Sequence, residues 1–139
     1  RDGELMGLNV SVLTPRRQLD LEVCDQVVAP TVLGQITVLP SHRALMSELE
    51  LGKVVVERAN GNNTVLAVSG GFLEVDKDRV IILVDTAETA DEIDAVRAKE
   101  DLEESTAALK DLGVGDEGYE AELARFKRAE LRLEVVQVN

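Results

Sequence analysis

Groups able to do chemistry are sparse in this chain, and charge sets them apart more than nucleophilicity does. His42 is the only histidine, so a multi-histidine metal site is excluded. Ser11, Ser41, Ser47 and Ser69 lack a plausible histidine and aspartate arrangement, so no catalytic residue is expected. Ser69-Gly70-Gly71 is not followed by the Gly-Lys-Ser/Thr of a phosphate loop. These glycines read as a bulge or a close backbone approach within a strand. Cys24 stands alone in an alternating apolar stretch, which excludes an internal disulfide and reads as a buried, inert thiol. Asp94 and Arg97 are three apart, so on a helix they are neighbours able to form a local ion pair. Arg125, Lys127, Arg128 and Arg132 form a basic segment interrupted by Glu130. It either balances an acidic helix beside it or docks an acidic surface elsewhere.

The whole chain leans the other way. Acidic residues number 27 against 15 basic, a net charge of −12. That balance opposes nucleic acid and a polybasic grip on anionic lipid. Hydrophobic residues make up 45%, enough for a core, but aromatics only 2%. Valine, leucine, isoleucine and alanine must therefore do the packing. No stretch approaches the ~18 apolar residues of a membrane span, and the start does not resemble a secretion signal. Direct membrane insertion is not expected.

The elements that would hold these groups change type near Ala87. Leu8-Val10-Val12, Leu19-Leu21-Val23 and Ile36–Leu39 read as short strands, and Val27–Ala29 continues extended to Pro30. Thr14-Pro15-Arg16-Arg17 is a turn with Pro15 at its first central position. Lys53–Arg58 and Thr64–Val68 flank Asn60-Gly61-Asn62-Asn63, a hairpin signal. Phe72–Val75 and Arg79–Val84 flank the turn Asp76-Lys77-Asp78. Many short strands with close turns argue for a sandwich or flattened barrel. Beyond it, Thr89-Ala90-Asp91-Glu92 has capping-box spacing. Ala95, Ala98, Leu102, Leu109 and Leu112 then share one helix face. Gly113 stops that helix and Asp116 is placed to cap the next. Tyr119, Leu123, Phe126, Ala129, Leu133 and Val136 recur at helical steps. The expectation is an all-β domain over 1–87 and an antiparallel α-helical hairpin over 88–139.

Three segments carry a family resemblance. Gly34-Gln35-Ile36-Thr37-Val38-Leu39-Pro40-Ser41-His42 resembles the glycine-to-proline-histidine loop of ATP synthase epsilon subunits. Val68-Ser69-Gly70-Gly71-Phe72-Leu73-Glu74-Val75 is similar to the family's Gly-Gly-Phe-Leu-Glu strand. Glu88 with Ile93-Asp94-Ala95-Val96-Arg97-Ala98 resembles the Ile/Leu-Asp-x-x-Arg-Ala motif opening the first C-terminal helix of bacterial members. The likeness runs from about Leu8 to Val136. Thr37, Arg43 and Ala44 depart from the family loop, which usually has glycine, a small residue and often proline there. Residues Arg1 to Met6 match nothing in the pattern.

The resemblance implies a non-catalytic central-stalk subunit of a proton-translocating rotary ATP synthase. Its partners would be the gamma subunit, the c-ring and the catalytic beta and alpha subunits, at the cytoplasmic face of a bacterial membrane. Gln35, Ser41 and His42 would meet the polar loops of the c-ring. Glu88, Ile93, Asp94, Arg97 and Ala98 would form part of an ATP-sensing site, with Arg125, Arg128 and Arg132 as further candidates. Glu104 stands where strong ATP binders carry an arginine. No cofactor is required, and ATP enters as a regulatory ligand. Arg125, Lys127, Arg128 and Arg132 would meet an acidic segment of the catalytic beta subunit and restrain hydrolysis. The rival reading is a free-standing β-sandwich binding module with a helical dimerisation tail.

Overall fold

The computed structural model describes residues 7–58 and 61–138. The segment 1–6 and Asn60 of the Asn60–Asn63 turn lie outside the described residues. Among the described residues nine strands precede two helices. The strands are β1 (Leu8–Leu13), β2 (Gln18–Thr31), β3 (Gly34–Val38), β4 (Leu45–Leu49), β5 (Gly52–Arg58), β6 (Thr64–Val68), β7 (Gly71–Asp76), β8 (Arg79–Val84) and β9 (Ala87–Thr89). After a 3₁₀ turn over Ala90–Glu92 come α1 (Ala95–Lys110) and α2 (Tyr119–Val138). The chain divides into two compact units between Thr89 and Ala90.

In the first unit the strands lie side by side in the order β1-β8-β7-β4-β2-β5-β6-β9, with β3 on β2 and β1 returning to β2. The β1–β8 pair is parallel. β2 ties the sandwich together. Its first half pairs with β1 and its second half with β3 and β5, while Thr31 reaches β4. The alternation around Leu21 and the extended run at Val27 belong to one bent strand. The bend is a bulge: register slips between Cys24 and Gln26, and Val23 adopts φ 54°. A β-branched residue rarely takes that conformation. The neighbouring chain at Gly7 comes so close that a Cβ there would lie 2.8 Å from Val23 Cα. A bulge lets a strand turn sharply without ending its ladder.

The core follows the alternation. Val54 and Val56 point inward on β5, Leu73 and Val75 on β7, Val80 and Ile82 on β8. Each such side chain contributes roughly 1.5–3 kcal/mol on burial. Cys24 is buried among them, and burial raises its thiol pKa. The Thr14 turn forms as expected, its hydroxyl accepting from the Arg16 and Arg17 amides at 3.2 Å. Gly71 is a close approach: a Cβ there would lie 2.1 Å from the Leu83 carbonyl oxygen.

Two strands escape sequence reading. β4 carries Met46 on its outer face, 69% exposed, which blurs its period of two. β9 is three residues long and is specified by its partner β6.

Thr89 ends β9 and the 3₁₀ turn over Ala90–Glu92 follows it, so α1 in the second unit begins later than the 89–92 signal suggests. Asp94 is the N-cap of α1, its carboxylate accepting from the Arg97 amide at 3.0 Å. Asp116 does not cap α2 through its side chain. Its carboxylate accepts from Gly113 N at 2.7 Å and closes the connection, while Gly118, at φ 89°, precedes α2 and accepts from Glu122 N. The helices pack on each other as a hairpin. The buried positions are Ala98 and Ser105 on α1 and Ala129, Leu131 and Val135 on α2. Of the expected face Ala98 and Ala129 are buried, the leucines, Tyr119, Phe126 and Val136 are half-buried, and Ala95 alone is exposed; Leu131 and Val135 are buried besides. Among the described residues no helix is long and apolar enough to cross a membrane.

Candidate functional site

Three surfaces are candidates, two on the strand unit and one on the hairpin, and the first and third hold most of the groups singled out from sequence. The first borders β3. Thr31, buried at the end of β2, donates its hydroxyl hydrogen to Gly34 O at 2.5 Å and accepts from Leu33 N at 3.2 Å. This closes a tight turn with Gly34 at φ 123°, a conformation suited to glycine. Exposed Gln35 follows at once, paired in register with Pro30. Thr31 was not singled out from sequence, although a threonine placed before a glycine turn is a recognisable signal.

Ser41 and His42 lie past the other end of β3. Four residue steps of extended chain separate Gln35 from Leu39, about 13 Å. The structure therefore spaces Gln35 from Ser41 and His42, and a partner touching all three must follow the length of β3. His42 N donates to Leu39 O at 3.1 Å, closing a turn with Pro40 first and Ser41 second, the latter at φ 67°. Positive φ after a proline is the type II pattern. The His42 ring places Nδ1 2.7 Å from Arg43 O. A carbonyl only accepts, so Nδ1 carries the hydrogen, and Nε2 is the acceptor of the neutral ring.

The second surface is the outer face of the layer β4-β7-β8-β1. Phe72 pairs with Leu83, and Leu83 with Leu13, in one row across three strands. Phe72 is 54% exposed and Leu83 53%. The next row runs Met46, Glu74, Ile81 and Ser11. A groove beside Phe72 and Leu83 reaches Pro15 and Asp85. Sequence reading treated Phe72 and Leu83 only as strand residues. Their outward direction depends on which face the register buries.

The third surface is on the hairpin. Asp94 and Arg97 do not pair through their charges, because the Asp94 carboxylate is occupied as a backbone cap. The Arg97 guanidinium, largely exposed, lies 4.0 Å from Asp101 one turn later. Arg125 crosses from α2 to α1. Its Nη2 donates to Asp101 Oδ1 at 3.0 Å and to Glu104 Oε1, and its Nη1 lies 3.6 Å from Glu122. Asp101 is thus the meeting point. The hydrogen bond from Arg125 first, then the charges of Arg125, Arg97 and Arg132, hold its carboxyl below the ordinary value of 3.8. The hydrogen bonds that Arg125 donates to Glu104 and Asp101 raise its pKa further above its usual range. Lys127 and Arg128 are exposed, and Arg132 is half-buried. Ile93 donates its amide to Ala90 O, and Ala98 is buried at the first turn of α1. Glu88 lies in β9, opposite Ala67.

The β-sandwich domain model of the ATP synthase Delta/Epsilon chain matches residues 7–90. The ATP synthase epsilon chain of Geobacter metallireducens is 39% identical over 128 residues, covering 92% of each chain. Among solved structures, a chain of the Euglena gracilis mitochondrial ATP synthase assembly of OSCP, F1 and c-ring superimposes with a TM-score of 0.70 at 24% identity. The match covers 99% of this chain and 82% of that one. A chain of the Tetrahymena thermophila mitochondrial ATP synthase central stalk and c-ring gives 0.59 at 15% identity, covering 93% and 96%. At these identities both structures show the fold alone.

Proposed function

The chain belongs to the ATP synthase delta/epsilon family, and on that footing we propose that it is a non-catalytic central-stalk subunit of a proton-translocating rotary ATP synthase. The observation that carries this reading is the outward apolar row Leu13–Leu83–Phe72, with Leu83 and Phe72 exposed and Leu13 half-buried, on a layer that buries Leu73, Val75, Val80 and Ile82 on its other side. An aromatic and two leucines on rigid strands, bordered by Glu48 and Glu74, have the form of an anchor patch with a polar rim. The occupant is the gamma subunit. The c-ring lies along β3, where Gln35 and the acceptor nitrogen of His42 suit the polar loops of a ring. The assemblies to which the two structural neighbours belong, one with a c-ring and one with central stalk and c-ring, support this choice of partners. The complex sits at the cytoplasmic face of a bacterial membrane.

Replacing both Phe72 and Leu83 with aspartate tests the patch. The variant should keep the wild-type melting temperature within a few degrees, since both side chains point outward, while binding to gamma weakens by at least about tenfold. Wild-type chain that neither recovers gamma nor loses anything on the double substitution, and that self-associates through its helices, would favour a free-standing binding module.

The hairpin restrains ATP hydrolysis. Exposed Lys127 and Arg128 can meet an acidic segment of the catalytic beta subunit while the helices stay paired. Arg125 joins them only if it leaves Asp101 and Glu104. Removing residues from Glu88 onward should raise hydrolysis by the head without blocking assembly. ATP enters as a regulatory ligand at the arginines around Asp101. Because Arg125 already faces Asp101, Glu104 and Glu122, phosphate must displace carboxylates, and binding is weak. Calorimetric titration with ATP, against Arg97→Ala as control, measures it; binding unaffected by Arg97→Ala would remove the site.

A further inference from the structure

The turn Leu39-Pro40-Ser41-His42 needs positive φ at its third residue, and serine stands there at φ 67°. Glycine takes that conformation without steric cost, and serine does not. The strain is met from 37 residues away: the Ser41 amide donates to Asp78 Oδ1 at 2.7 Å. Asp78 belongs to the two-residue connection between β7 and β8, after Lys77 at φ 57°. Its own backbone is anchored from a third direction, its carbonyl accepting from Asn9 N at 2.8 Å. The main chain of Asp78 is therefore fixed by β1, β7 and β8, and its carboxylate projects from that frame onto the Ser41 amide. A charged acceptor on a backbone amide gives a short, strong bond, which favours the one conformation of Ser41 that presents the amide to it.

We infer that Asp78 is a positioning residue: it holds Ser41 in the left-handed conformation and thereby fixes the orientation in which His42 is presented to the ring of membrane subunits. This rests on the reading of Ser41 and His42 as part of the ring contact. The orientation matters because Nδ1 is engaged with Arg43 O, which leaves a single acceptor, Nε2, whose direction follows the turn. Asp78 does not touch the partner in this scheme and acts only through the Ser41 amide.

The dependence has a built-in rescue. If Asp78 offsets the conformational cost of serine, then glycine at position 41 makes the carboxylate dispensable. A residue that merely stabilised the β7–β8 connection would not be rescued from position 41.

Two measurements on the full chain and its complex test this. In amide exchange on the chain, Asp78→Ala should speed exchange at Ser41 by about tenfold or more, and Asp78→Asn, which keeps an acceptor oxygen, should stay near wild type. In membranes carrying the assembled synthase, Asp78→Ala should reduce ATP-driven proton pumping, and adding Ser41→Gly should restore it. Unchanged exchange at Ser41 in Asp78→Ala overturns the inference. So does a pumping defect that Ser41→Gly leaves in place. Pumping that is indifferent to His42→Ala overturns the ring-contact reading and the role given to Asp78 with it, while the exchange result still reports separately whether the carboxylate sets the turn.

Discussion

In the strand unit Leu8, Val27, Leu66 and Ile82 are wholly excluded from solvent, and almost every inward position is valine, leucine or isoleucine. In the hairpin α1 and α2 bury only Ala98, Ser105, Ala129, Leu131 and Val135 among the described residues, and two of these are alanine. The strand unit is held by apolar burial, which salt and pH barely alter. The hairpin has a thin apolar seam and an ionic link from Arg125 to Asp101 and Glu104 across the helices. The contrast teaches that one region is built to keep a single shape under load, and the other to part from its own partner helix at small cost. The proposed roles, a rotor body and a movable restraint, would draw on those two temperaments, and the division lies in the chemistry of each unit taken by itself.

The largest break in this comparison should come from the sandwich. Leu73→Ala removes a wholly buried side chain and should cost about 2–5 kcal/mol, read by denaturant melting of the full chain. Amide exchange in α1 and α2 should be unaffected. If both units lose protection together, the division into independent temperaments fails. Gly71→Ala should cost about 1–3 kcal/mol, since the new methyl meets the Leu83 carbonyl and two strands must separate; an unchanged melting midpoint would show that β7 and β8 can shift freely. Asp94→Ala removes the α1 cap and should cost about 1 kcal/mol. That loss should show as fraying of the Arg97 amide region and not as a shift in the strand transition.

The smallest effect sharpens the comparison most. Asp101 is an aspartate held below its ordinary pKa, so its contribution is fully present above 3.8 and is lost as pH falls through the lowered value. Exchange protection in the hairpin should therefore hold from neutral pH down to mild acid and fall below 3.8, while the strand core stays protected. Arg125→Met should abolish that acid step, as should high salt, which screens exposed pairs. An acid step that survives Arg125→Met would mean that Asp101 is held down by Arg97 and Arg132 instead.

Much of this was legible in the residues. The alternations in 53–58 and 72–84, the Thr14-Pro15 turn and the switch to helical spacing depend on local steric and solvation preferences, which act over a few neighbours. The close approach at Gly71 was visible as a paired glycine inside a strand. The start of α1 lies later than the Thr89–Glu92 spacing suggests, because Thr89 pairs with β6, a single 3₁₀ turn follows, and Asp94 caps the helix proper. The burial of Leu131 and Val135 was not legible, because they do not continue the row begun by Tyr119 and Leu123, and only the folded chain decides which flanking positions are covered as well.

By itself, then, the amino-acid order determined the two element types, the apolar inner faces, the family motifs and the absence of a histidine cluster, because each depends on residue identity and short spacing. The tertiary structure alone decided that β2 is one bent strand through Val23, that Phe72 and Leu83 form an outward row with Leu13, that Arg125 reaches Asp101, and that Asp78 meets the Ser41 amide. Those are relations between residues far apart in sequence. They are settled by strand register and helix facing, which arise only when a whole unit closes on its core.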